Sequence, residues 1–347
     1  MKKEFNEAPW YRWERGIARR NKESISRYQE LLAREVEYHS FLQYLFSLQW
    51  GKLKAYANQK GIIIMGDLPI YVAPDSCDTW VNPELFNLTQ EGPPYKVGGV
   101  PPDYFSREGQ LWGNPTYCWK NHEGTGYSWW KSRIKNSLHS LDYLRLDHFR
   151  GFVSFWEIPQ GAATAASGNW RKGPGKKLFE SLCETLGPLP LIAEDLGTLS
   201  PEVANLKNQF GFPGMKVLQF SLNEILEDAD YEGIYYSGTH DNETLLGWYE
   251  DQQEVLKKLP GFRKKVLQDR DQSEGLTVCK RLLEILYYSK ANWVIIPLQD
   301  LLLLGNEARM NTPGVAAGNW QWTFSWEQIP KDLAPRLQEW VRLSGRE

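Results

Sequence analysis

A chain of 347 residues with 40 Lys and Arg against 43 Asp and Glu carries a net charge of −3. Both signs are spread along it, leaving no basic patch to hold a phosphate backbone and no acidic tail, so nucleic acid is excluded as a natural partner. The 16 Trp, 17 Tyr and 14 Phe can furnish a sizeable core, and the aliphatic runs Ile62–Met65 and Leu301–Leu304 are far shorter than the ~20 residues that cross a bilayer.

The first residues, Met1-Lys-Lys-Glu-Phe-Asn-Glu7, are charged and unlike a secretory signal. Cys77, Cys118, Cys183 and Cys279 show no C-x-x-C spacing, which argues against a zinc knuckle or disulfide framework and for a reducing compartment, cytoplasmic or plastidial. From Lys22 to about Lys60, apolar residues at three- and four-residue steps predict a long amphipathic helix that Gly61 ends. Ile62–Met65 reads as a buried strand feeding a loop with Asp67. Further strands are expected at Tyr143–Leu146, Leu189–Ala193, Met215–Phe220, Gly233–Ser237 and Trp293–Leu298. Helices are expected from Ser200-Pro201 to about Phe210, over Glu254–Arg270 and over Leu276–Tyr288. Apolar strands separated by helices mean parallel pairing, and six such strands in one domain, 1–347, point to an α/β barrel. The long aromatic-rich segment 72–118 reads as a loop insertion, ordered because aromatics are depleted in disordered chain.

Three acidic residues, evenly spaced, each sit where a strand should end: Asp147 in Leu144-Arg-Leu-Asp-His-Phe-Arg-Gly151, Glu194 in Leu191-Ile-Ala-Glu-Asp-Leu-Gly197 and Asp241 in Ser237-Gly-Thr-His-Asp-Asn242. In a (β/α) barrel those ends form the mouth where active sites are built. Alternation along a strand puts Arg145 and Asp147 on one face and Leu144 and Leu146 on the other; an adjacent guanidinium keeps a carboxylate ionised, as a nucleophile requires. The apolar neighbours of Glu194 would raise its pKa towards that of a general acid. One ionised and one protonated carboxyl is the machinery of glycoside chemistry, and aromatic loops offer flat faces for sugars. The plain structural alternative is that such acids are helix caps or loop anchors, as Asp195 and Glu157 are read to be. His148 and His240 beside carboxylates invite a metal reading, but the five histidines form neither H-x-H nor H-E-x-x-H, so no metal and no organic cofactor is expected.

Together, Gly66-Asp-Leu-Pro-Ile-Tyr-Val72 with Asp75-Ser76, Gly109-Gln-Leu-Trp-Gly-Asn-Pro115, Arg145–Gly151, Ile192–Gly197, Gly238–Asn242, Pro297–Asp300 and Asn306–Gly314 resemble the amylomaltase, or disproportionating-enzyme, family of 4-α-glucanotransferases. The resemblance implies a (β/α)8 TIM-type barrel of the α-amylase-related kind with long loop insertions. It also implies a retaining double displacement on α-1,4-glucans and maltooligosaccharides, with glucose among the acceptors. By residue matching it makes Asp147 the nucleophile, Glu194 the general acid/base and Asp241 the carboxylate that grips the distorted sugar. Arg145, His148 and His240 would bond the sugar at the scissile linkage, and Asp67, Asp103, Tyr104, Gln110, Trp112 and Asn311 would line the glucan groove. Exclusion of water is assigned to the loop from Val100 to Trp119. Leu303 and Val315-Ala-Ala317 depart from the family pattern without touching the carboxylates. Nothing before Trp10 resembles the family's N-terminal stretch, so the expectation is an incomplete barrel with about six strands visible and the first two missing. From other classes, a catalytically inactive glucan-binding remnant and a metal-dependent barrel hydrolase remain open.

Overall fold

The computed structural model describes residues 1–102, 107–197, 200–227, 231–268, 274–315 and 317–346. The chain divides into two compact units, Met1–Phe212 and Pro213–Glu347. The first contains strands β1 (Met65–Leu68), β2 (Lys96–Val100), β3 (Gln110–Pro115), β4 (Tyr143–Leu146), β5 (Ser154–Pro159), β6 (Asn169–Lys172) and β7 (Leu191–Ala193). The second contains β8 (Met215–Val217), β9 (Ile234–Tyr236) and β10 (Trp293–Ile295).

In the first unit β1, β4 and β7 form a parallel sheet in that order, with Asp67 opposite Arg145 and Arg145 opposite Ile192. Leu144, Leu146, Leu191 and Ala193 are buried against Ile134 of the helix Ser128–Ser140 and Leu178, Phe179 and Leu182 of the helix Lys176–Leu186. β4 and β7 are short, and the side chains they turn towards the helices are apolar. The second unit repeats the scheme: β8, β9 and β10 are parallel, and Tyr235 packs with Leu245, Phe262, Leu282 and Leu283. Among the described residues six strands run parallel, answering to the six expected, and the alternation of strand and helix between them is the α/β pattern read from the sequence.

Four local expectations are corrected. The first strand lies at Met65–Leu68, not Ile62–Met65. Ile62 and Ile63 are exposed, and Asp67 is a strand residue rather than a loop residue. The 72–118 segment is not structureless: it holds the helix Cys77–Val81 and strands β2 and β3, which join β5 and β6 in an antiparallel sheet ordered β3-β2-β5-β6. Gly98-Gly99 reads as loop in sequence, yet a Cβ at Gly99 would lie 2.1 Å from the Gln110 carbonyl oxygen. The glycine is there because the strands approach so closely. Glu254–Arg270 is not one helix. The helix starts at Leu245, where the Thr244 hydroxyl caps the Gly247 N–H, and stops at Leu256 before Pro260. After Val217 the expected strand becomes the helix Leu218–Leu226.

The N-terminal residues are tied to the turn after β1. Trp10 is buried; its backbone N–H donates to Asp75 Oδ1 at 3.0 Å and its indole to the Pro74 carbonyl and the Thr79 hydroxyl. Lys2 pairs with Asp75, and Ser76 caps the helix Cys77–Val81. Trp10→Ala, which removes a buried ring and strands its partners, is expected to lower the unfolding free energy by about 3–5 kcal/mol, read as a shift of the denaturant midpoint.

Candidate active site

Asp147 and Glu194 are placed by the same ladder. The Asp147 N–H donates to the Leu68 carbonyl at 3.1 Å, continuing the β1–β4 pairing past the end of β4. The Glu194 N–H donates to the Leu146 carbonyl at 3.0 Å, continuing the β4–β7 pairing. Both acids therefore sit one residue beyond a C-terminal strand end in adjacent strands, where an α/β sheet builds its sites.

The turn after β4 closes onto Glu194. The Phe149 N–H donates to the Glu194 backbone carbonyl at 3.0 Å, and His148, with φ of +48°, aims its own N–H at Glu194 Oε2 at 2.7 Å. The Leu196 N–H donates to Oε1 at 2.9 Å. Positive φ in a residue with a side chain is a local strain held by its surroundings. Here Gly151 is part of those surroundings, because a Cβ at that position would lie 2.4 Å from Ile70 Cδ1 and 3.1 Å from the His148 ring.

Burial, and after it the neighbouring Asp147 carboxylate, push Glu194 up from 4.5 to about 7, against the opposing pull of the two N–H donors and Arg145. Each carboxyl oxygen has two lone pairs, so one N–H bond apiece leaves room for a proton. Arg145 is buried and held bidentately by Asp67 across the strand pair: its Nε donates to Oδ1 at 2.9 Å and its Nη2 to Oδ2. Burial, and then Arg150, hold His148 down at about 4, so its imidazole is neutral at ordinary pH. Trp112, on β3, meets that imidazole edge-on at 5.0 Å between centroids and donates its indole N–H to Gln110 Oε1 at 2.9 Å.

Asp67, Gln110, Trp112, Arg145, Asp147, His148 and Glu194 all belong to the first unit; Asp103 and Tyr104 lie outside the described residues. Asp241, His240 and Asn311 belong to the second, where they form their own cluster. Asn311 Nδ2 donates to Asp241 Oδ1 at 2.6 Å, His240 Nε2 is 3.4 Å from Oδ2, and Trp320 packs on the His240 ring at 5.2 Å. Arg309 ties the two loops together through the carbonyls of Asp241 and Asn311. A cavity of about 610 Å³ beside His240 is lined by Glu243, Gln299, Trp320 and Trp322, among others. Asp195 and Glu157 are ion-paired, with Lys207 and with Lys96 and Arg171 respectively. The backbone donors of His148 and Leu196 were not legible in sequence, since any residue supplies an N–H. Arg309 was within reach, because it stands in the Asn306–Gly314 block.

Residues 1–328 match the family model described as Glyco_hydro_77, 4-alpha-glucanotransferase. The chain belongs to the 4-alpha-glucanotransferase family. A 4-alpha-glucanotransferase of Synechocystis is 44% identical over 360 residues, covering 100% of this chain and 69% of its own length. One of Thermus thermophilus is 44% identical over 340 residues, covering 94% of this chain and 66% of its own. The structure of an amylomaltase from Streptococcus agalactiae in complex with acarbose superposes with a TM-score of 0.89 at 37% identity, over 99% of this chain and 70% of that one. The fold is thus of the amylomaltase type and the activity class that of a glycosyl-transferring enzyme, and the chain spans about two thirds of the length of these relatives.

The folded protein prefers Glu194 protonated, since its pKa there, about 7, lies above the ordinary 4.5. That preference stabilises the fold at low pH and is lost as pH rises from 4.5 through 7. Glu194→Gln removes the titration, although its amide must face one backbone N–H and shifts stability by a constant amount. Between pH 4 and pH 8 the stability difference between variant and parent should therefore move in the variant's favour by about 3 kcal/mol, measured by urea titration at both pH values.

Proposed function

We propose that this chain transfers a segment of an α-1,4-glucan to the 4-hydroxyl of an acceptor glucose or glucan by a retaining double displacement. Glu194 gives its proton to the glycosidic oxygen as that bond breaks, and Asp147 forms a bond to the anomeric carbon. The shortened glucan leaves with a free 4-hydroxyl, and the donor segment remains as an ester on Asp147. Glu194, now ionised, takes the proton of the incoming 4-hydroxyl as its oxygen attacks the anomeric carbon and releases Asp147. Two inversions give net retention, for which the carboxyl groups should stand roughly 5–5.5 Å apart.

The observation that carries this reading is the placing of Glu194 beside Asp147 at the ends of adjacent strands, with the proton of Glu194 held near neutral pH. Glu194 is pushed up to about 7 by burial and by Asp147, which poises it to give and take a proton near neutrality. Neutral His148, met edge-on by Trp112, is suited to bond a sugar hydroxyl, and the Arg145–Asp67 pair keeps a buried positive charge beside the reacting groups. Asp241, fixed by Asn311 and Arg309, is assigned the grip on the distorted sugar. Water exclusion is assigned to 100–119, with Gln110 and Trp112 at the groove. The setting that suits four unpaired cysteines is a reducing one, cytoplasmic or plastidial; the Arabidopsis relative is named chloroplastic/amyloplastic. Among the described residues no helix is long and apolar enough to cross a membrane.

Incubated with maltotriose, the protein should release glucose and build a ladder of longer oligomers, with Asp147→Asn at least ~10³-fold slower under the same conditions. Glucose and maltose without longer products would mean hydrolysis instead and would overturn the transfer reading.

A further inference from the structure

Trp112 reaches His148 from an irregular stretch of β3. Between the pairs Gly99–Leu111 and Val97–Pro115, the single residue Gly98 of β2 stands opposite Trp112, Gly113 and Asn114. Gly113 takes a φ of +77° there, which a residue with a side chain rarely adopts. Bulges bend a strand and re-aim a side chain, often beside an active site. Where the ladder is interrupted in this way it no longer dictates the direction of the Trp112 ring, and packing has to hold it.

The segment Ile70–Val72, after β1, meets that bulge. Asn114 Nδ2 donates to the Val72 carbonyl at 2.9 Å, and the Tyr117 hydroxyl donates to the Ile70 carbonyl at 2.5 Å. The chain of β3 and its continuation thus grips the backbone on both sides of Tyr71. Ile70 and Tyr71 are both buried. Ile70 lies where a Gly151 Cβ would stand, beside the His148 ring. Tyr71 reaches the other member of the pair: its ring centroid is 6.2 Å from that of Trp112 and 5.6 Å from that of Tyr117.

On β2 the room for this ring depends on a missing side chain. A Cβ at Gly98 would lie 2.4 Å from Tyr71 Cε2 and 2.9 Å from Cδ2. The glycine that faces the bulge is therefore also the one that admits Tyr71. Burial holds the Tyr71 hydroxyl protonated, well above its ordinary range, so Tyr71 brings a ring to the site rather than acid–base chemistry.

We propose that Tyr71 is a positioning residue for the pair Trp112–His148: with Gly98 making room for it, its ring sets where the Trp112 ring stands against the imidazole. Tyr71 acts through Trp112 and takes no part in proton or bond transfer. That the pair binds sugar rests on the function proposed above; the packing of Tyr71 on Trp112 does not.

The test reads the pair by nuclear magnetic resonance, with histidine carbon-labelled at Cε1 and the His148 signal assigned by His148→Gln. Tyr71→Leu, which keeps apolar bulk but loses the ring, should move that signal most of the way to where Trp112→Ala places it. Tyr71→Phe should leave it at the parent position. In the Trp112→Ala background Tyr71→Leu should move it no further, because a residue that acts through another is not additive with it. The KM for maltotriose should follow, rising roughly 3–10-fold in Tyr71→Leu, the scale of one aromatic contact, and keeping the parent's value in Tyr71→Phe. A loss of stability alone lowers the active fraction, and with it the apparent kcat, without moving KM. Gly98→Ala, which leaves Tyr71 intact but crowds its ring, should also displace the signal and gives the reading if Tyr71→Leu does not fold. A His148 signal that stays at the parent position in either variant would overturn the proposal, as would a displacement by Tyr71→Leu that persists in full in the Trp112→Ala background. A displaced signal in a chain that hydrolyses maltotriose without transfer would uphold the positioning and overturn the transfer reading alone.

Discussion

The chemistry of the first unit depends on one run of parallel pairing, in which β4 lies between β1 and β7 with Asp67, Arg145 and Ile192 in line. Pairing continues beyond the strands through the Asp147 and Glu194 N–H groups, so the two acids leave the sheet side by side. A slip of one residue would exchange the faces of β4, bringing Leu144 and Leu146 to where Arg145 and Asp147 stand. The buried leucines on the helix side are what make that slip costly. Packing on one face of the strand thus fixes chemistry on the other.

Within this frame the charges are set by opposed effects of similar size. Glu194 accepts two backbone N–H bonds, which favour its anion, while burial and the charge of Asp147 favour its proton, and the two come into balance near neutral pH. The same burial keeps His148 neutral, so the site avoids an imidazolium next to Arg150. Asp67 holds the buried Arg145 cation bidentately; removing one partner of a buried ion pair costs about 3–5 kcal/mol. In the second unit Asp300 is a buried acid whose partners differ from those of Glu194. Burial lifts it to about 6, but its oxygens are occupied by the Ser237 hydroxyl and the Leu245 N–H at the start of a helix, where it anchors the backbone that leads to Asp241.

Much of this was legible in the sequence because the signals are local. Tyr143–Leu146 and Leu189–Ala193 are short, largely apolar runs followed by an acid, and both the strands and the strand-end position of the acids follow from that pattern. What was not legible depends on partners far away in the chain. Ile62–Met65 looks more strand-like than Met65–Leu68, yet pairing with Tyr143–Leu146 selects the later residues. The antiparallel sheet that starts in 96–115 hides behind Gly98 and Gly99, which allow close approach, and Gly113, with a φ of +77°, all of which erase alternation. The helix beyond Lys22 was foreseen as one helix with a buried stripe. It is two, Lys22–Leu31 and Ala33–Gln59, and residues spaced as a core face lie open in this chain.

The central claim is that adjacent strand ends make Asp147 the nucleophile and Glu194 the proton carrier. It is tested most directly by trapping the covalent intermediate in Glu194→Gln with a donor whose leaving group needs no acid, such as a 5-fluoroglucosyl fluoride. Peptide mass spectrometry should locate a single hexosyl ester on Asp147. An adduct on Asp241, or turnover of the donor in Asp147→Asn at the parent's rate, would contradict the account.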